Sequence, residues 1–141
     1  MTEYADSSFI VSLYANDANH RRAAAHAASW QAAPLLPLTP FGRFELQNTL
    51  RRVLVPFQAA SIVRNIQADE KRGVFLARLL ESYRWMQMAD ALSKQYVWGT
   101  KTRALDVLHV SAALIHGCGV FLTFDSNQGA FARLVGLQTP L

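Results

Sequence analysis

Four acidic residues, Asp6, Glu45, Asp106 and Asp125, sit where a carboxylate needs a reason to be. Asp6 follows a short strand candidate in Tyr4-Ala5-Asp6-Ser7-Ser8, and Asp125 follows a strongly apolar one in Phe121-Leu122-Thr123-Phe124-Asp125. Glu45 and Asp106 each interrupt an apolar helical pattern, where a lone charge costs desolvation energy. Carboxylate oxygens are hard ligands, so four of them gathered at one place suit Mg²⁺ or Mn²⁺. Brought close, they repel unless a cation lies between them.

Each acid also has an ordinary structural use. Asp6 and Asp125 both precede a helix and could serve as its N-cap. Asp106 could simply favour the positive end of a helix dipole, and Glu45 could be a solvated helix residue. The combination of four favours a metal site over four separate accidents.

Other chemistries find less support. His109 lies three residues after Asp106 on a neighbouring part of one helical face, which suits packing or support better than catalysis. His20, His26 and His116 are scattered and show no metal-ligand spacing. Ser7 and Ser8 lack the glycine-flanked elbow of a hydrolase nucleophile. No Gly-x-x-x-x-Gly-Lys phosphate loop is present. Trp30, Trp85 and Trp98 read as core or interface aromatics.

Alternating strands and helices must carry the acids. The pattern predicts a strand at 3–5, helices at about 8–14 and 18–31, and a buried strand around Leu35-Leu36. Thr39-Pro40 starts a helix running to about residue 55, with threonine as cap and proline in the first turn. Helices are expected over 57–69 and 71–82, a strand over 85–88, and helices over 89–97 and 103–116, the last stopped by Gly117. Residues 120–124 form the clearest strand, followed by a helix over 128–135 and an edge strand at Leu137-Gln138. The expected fold class is α/β, with a mainly parallel central sheet flanked by helices. In such sheets ligands collect beyond the carboxyl ends of the strands, where Asp6 and Asp125 fall.

Composition agrees. With 141 residues, 51% hydrophobic and 17% charged, the chain reads as one globular domain spanning 1–141. No apolar run reaches the roughly 18 residues of a membrane span, and Glu3 and Asp6 interrupt any signal-peptide pattern. A single cysteine, Cys118, excludes internal disulfides and thiolate clusters, and makes a cytoplasmic setting the expectation. If the four acids share a site, six of ten acids remain against fourteen basic residues, a balance of +8 elsewhere. Such an excess suits nucleic acid, and Arg51, Arg52, Lys101 and Arg103 are the candidate residues of a phosphate-binding rim.

The ordered segments Asp6-Ser7-Ser8, Phe44-Glu45-Leu46-Gln47-Asn48, Arg103-Ala104-Leu105-Asp106-Val107-Leu108-His109 and Thr123-Phe124-Asp125 resemble the PIN domain. Within that family the chain is most similar to VapC-type toxins of bacterial toxin–antitoxin pairs. The resemblance implies a PIN-like three-layer fold and a Mg²⁺- or Mn²⁺-dependent ribonuclease. Asp6, Glu45, Asp106 and Asp125 would be its catalytic, metal-binding acids, assisted by Ser8, Thr123 and Asn127. Some members carry a further acid beside the fourth carboxylate, where this chain has Ser126 and Asn127. The resemblance further implies a cognate VapB-type antitoxin and a homodimer. Two alternatives remain: a PIN-like RNA- or partner-binding module without cleavage, and a metal-dependent phosphatase, which would usually need a second acid where Ser7 and Ser8 stand.

Overall fold

A computed structural model describes residues 1–141. Its elements in chain order are β1 (Glu3–Ala5), α1 (Ser7–Tyr14), α2 (His20–Ala28), β2 (Leu36–Leu38), α3 (Pro40–Val53), α4 (Pro56–Lys71), β3 (Phe75–Ala77), α5 (Ser82–Tyr96), α6 (Ala104–Ile115), β4 (Val120–Leu122) and α7 (Ser126–Val135). β1 pairs in parallel with β4, and β2 pairs in parallel with β3. The two ladders are separate, although β1 lies beside β2. The expected edge strand at Leu137-Gln138 reduces to one bridge between Gln138 and Val120.

The period of two along each strand divides the core into two layers. Ala5 and Leu122 face a cluster with Phe9, Leu46, Leu50 and Phe75, built from α1 to α4 together with β2 and β3. Tyr4 and Phe121 face the other way, onto Leu92, Val110 and Phe131 of α5, α6 and α7. Helices therefore cover both faces of short parallel strands, the α/β architecture expected from the sequence. No helix is long and apolar enough to cross a membrane.

Local rules explain most boundaries. The Thr39 hydroxyl accepts from Gly42 N at 2.9 Å and Pro40 opens α3, as the Thr-Pro pair predicts. Gly117 and Gly136 adopt positive φ, +70° and +106°, where α6 and α7 end. Two expectations fail. Residues 71–82 are not a helix: α4 continues to Lys71, Gly73 turns at φ +81°, and β3 follows. Nor are residues 85–88 a strand, because they lie inside α5, where Trp85, Met88, Leu92 and Tyr96 make one apolar stripe against α6 and α7. α2 is also shorter than expected, covering only His20–Ala28.

Candidate active site

The parallel β1–β4 pair places Asp6 and Thr123 side by side, each one residue beyond its strand. Asp6 is buried, at 3% exposure. Its carboxylate accepts from Phe9 N at 3.0 Å, capping α1, and from the hydroxyls of Ser8 and Thr123, each at 2.7 Å. Ser8 Oγ in turn accepts from Phe124 N at 2.9 Å, and Thr123 Oγ1 accepts from Asp125 N at 3.0 Å. Burial raises the pKa of Asp6, against the opposing pull of these donors and of His109. A carboxylate so enclosed carries charge only at a cost, unless a cation shares the space.

Asp125 is the N-cap of α7, accepting from Asn127 N at 2.9 Å and Gln128 N at 3.0 Å. Asp106 occupies the first turn of α6, is 4% exposed, and accepts from Arg103 N at 2.8 Å. The Gln128 amide reaches it from α7 at 3.3 Å, so one residue touches both Asp106 and Asp125. Glu45, on α3, meets His109 Nε2 at 2.9 Å. Burial pushes the Glu45 pKa upward, but the hydrogen bond and charge of His109, with help from Ser7, outweigh it and hold the carboxyl below its ordinary value.

Three of the predicted acids, Asp6, Asp125 and Asp106, thus lie on one hydrogen-bonded network at the carboxyl end of the strands, through Thr123 and Gln128, while Glu45 belongs to a separate group with His109 and Tyr4. Ser8 and Thr123 belong to the first network, each donating to Asp6. Asn127 enters only through its backbone N–H. Gln128 belongs to the first network, and His109, Tyr4 and Ser7 to the group around Glu45. His109 is more than packing, since its ring joins Glu45 to the Tyr4 hydroxyl, 2.9 Å from Nδ1. Its place three residues after Asp106 was the available signal; nothing in the sequence pointed to Gln128.

The donor chemistry, all oxygen, fits a hard divalent cation. The side chains themselves do not converge on one: no group of three His, Cys, Asp or Glu residues is placed to hold an ion. Each carboxylate is instead engaged by protein donors, so both the cap reading and the network reading describe this arrangement.

The four candidate RNA-binding residues are all exposed, and they are not equivalent. Arg103 is the N-cap residue of α6, three positions before Asp106. Arg52 follows Glu45 by seven residues, about two helical turns, and so shares its face of α3. Arg51 is rotated by about 120° from that face and lines a groove against α4 with Pro56 and Val63. Lys101 lines a small cavity with Thr100 and Asn127.

No family model matches the sequence, and no curated protein matches it significantly. Solved structures do match. Mycobacterium tuberculosis VapC20, described as a sarcin-ricin loop cleaving toxin, aligns with TM-score 0.70 and 18% identity over 91% of this chain and 93% of its own. A toxin–antitoxin complex from Klebsiella pneumoniae aligns with TM-score 0.63 and 16% identity, over 91% and 90%. FitAcB from Neisseria gonorrhoeae aligns with TM-score 0.65 and 15% identity, over 97% and 95%. The chain therefore has the PIN-domain fold.

Proposed function

We propose that this chain is a divalent-cation-dependent endoribonuclease and the toxin of a VapBC-type toxin–antitoxin pair. One observation carries the reading: on a PIN fold, Asp6, Asp125 and Asp106 are linked through Thr123 and Gln128, and Glu45 is held by His109, whose charge also acts on Asp6. Structures sharing the fold include a loop-cleaving toxin and a toxin–antitoxin complex.

In this account Asp6 and Asp125 hold Mg²⁺ or Mn²⁺, with Asp106 and Glu45 completing the site directly or through water. A bound cation would neutralise the carboxylates and stabilise charge developing on a phosphodiester. Ser8 and Thr123 fix the rotamer of Asp6, and His109 fixes that of Glu45. A cation held there would replace protein donors, the His109 imidazole at Glu45 and the Arg103 N–H and Gln128 amide at Asp106. The antitoxin covers this edge with its C-terminal segment, and the protein works in the cytoplasm. The exposed apolar residues Phe44, Val53, Val55, Phe57 and Leu79 suit a homodimer contact.

A second reading has one observation in its favour. Because every acid already has a protein donor and no ion-holding group is assembled, a PIN-like module that grips RNA without cutting it is consistent with the same geometry. Incubation of antitoxin-free protein with total cellular RNA separates the two. Discrete cleavage products with Mg²⁺ or Mn²⁺, abolished by EDTA, support the nuclease. Binding without any cleavage under all metal conditions supports the module instead.

A further inference from the structure

Beside Asp125 lies a small cavity of about 200 Å³ lined by Arg22, Thr123, Asp125, Gly129 and Arg133 among others. Its two guanidinium groups are held in place by neutral neighbours. Arg22 lies over the Phe124 ring, 5.1 Å from its centroid, and that ring stacks on the fully buried Phe9. Arg133 Nη1 donates to Thr139 Oγ1 at 2.7 Å. Neither arginine takes part in any of the five ion pairs of the chain. The one acid in the wall, Asp125, turns an oxygen to the N–H groups of Asn127 and Gln128, and it pairs with neither arginine.

Gly129 supplies the second observation. It stands inside α7, where glycine weakens a helix relative to alanine, and it does not adopt the positive φ that would call for glycine. What it yields is space. A Cβ there would lie 3.4 Å from Thr123 Cγ2 and 3.5 Å from Arg133 Nη1, on the wall of this cavity.

We infer that Arg22 and Arg133, over the gap left by Gly129, form a seat for a backbone phosphate of the RNA next to Asp125. This rests on the ribonuclease reading and adds residues to it. Two preorganised, uncompensated guanidiniums offer planar donors matched to phosphate oxygens. Thr123 touches both the seat and Asp6, so a phosphate held here sets the register of the neighbouring linkage against the acids.

The test is fluorescence anisotropy with a labelled single-stranded RNA in EDTA, so that binding is read without cleavage. Arg22→Gln and Arg133→Gln should each weaken binding about 5- to 10-fold and lower the salt slope by about 0.7. Gly129→Ala, which removes no charge, should weaken it about 3-fold while its melting midpoint stays equal or rises. Arg84→Gln, which removes a charge beside Thr2 at the opposite end of β1, should change affinity less than about 2-fold. Affinity unchanged in both arginine variants, or in Gly129→Ala, overturns the seat and leaves the nuclease standing. So does an equal loss in Arg84→Gln, which would mean that charge anywhere suffices. Failure of wild type to bind RNA in EDTA overturns the seat alone, while the ribonuclease reading stands or falls on cleavage of RNA with Mg²⁺.

Discussion

Glu45 and His109, 64 residues apart in sequence, meet at 2.9 Å, and this single contact ties α3 to α6 beneath the candidate site. An ionised carboxylate only accepts, so Nε2 carries the proton toward Glu45. In the neutral ring Nδ1 then accepts from the Tyr4 hydroxyl at 2.9 Å, extending the chain to β1. Tyr4 is 2% exposed, so its hydroxyl has no water to replace the ring, whereas the Glu45 side chain is 22% exposed.

His109→Leu leaves the Tyr4 hydroxyl and the Glu45 carboxylate without this donor and acceptor. We expect a loss of about 2–3 kcal/mol in urea unfolding, as for buried hydrogen bonds involving a charged group. His109→Gln, whose amide can donate to Glu45 while its carbonyl accepts from Tyr4, should recover more than half. Equal losses in the two variants would mean that ring volume, and not the relay, matters.

Acid titration should separate Glu45 from Asp6 because their shifts have opposite signs. The Glu45 pKa is depressed below its ordinary 4.5, so its contribution is complete above that value and is lost as pH falls through the folded pKa. Asp6 is raised above 3.8 by burial, so its contribution is complete below 3.8 and is lost as pH rises through the folded pKa. Stability measured from about pH 3 to pH 7 should fall less steeply on the acid side in Glu45→Gln, and decline less with rising pH in Asp6→Asn. Wild-type slopes in both variants would show that neither carboxyl is perturbed as described.

Cys118 should be chemically silent while the fold persists. Burial pushes its thiol up to about 11 from 9.0, and the side chain is nearly inaccessible. At about pH 8 iodoacetamide should label the urea-unfolded chain at least about tenfold faster than the native one. The raised pKa also means that this thiol's contribution to stability is complete below pH 9.0 and is lost as pH rises toward about 11. Comparable native and unfolded labelling rates would contradict the buried placement.

The acids were legible in the sequence because each stands at an element boundary or breaks an apolar stripe, both of which are local signals. Their partners were not. His109 finds Glu45 only once α3 and α6 pack, and Gln128 finds Asp106 only once α7 lies against α6. The misread elements have local causes. Trp85-Met86-Gln87-Met88 is a mostly apolar window of four residues, too short to tell a buried strand from the stripe that continues to Leu92 and Tyr96. β3 has three residues, too few to show alternation, so Gly73 was its only marker.

If the four carboxylates, each now satisfied by protein donors, form one divalent-cation site, then Mg²⁺ stabilises the folded chain through Asp6. Thermal melts of wild type and Asp6→Asn, each in EDTA and in millimolar Mg²⁺, test it most directly. In EDTA the variant should melt at the same temperature or a few degrees higher, because it sheds a buried charge. Mg²⁺ binds only the folded site, so at about 100 times its dissociation constant it should stabilise wild type by about 2.7 kcal/mol, and the variant by clearly less. An equal Mg²⁺ response in the two proteins, or none in wild type, would contradict the claim and leave four helix-capping and network acids in its place.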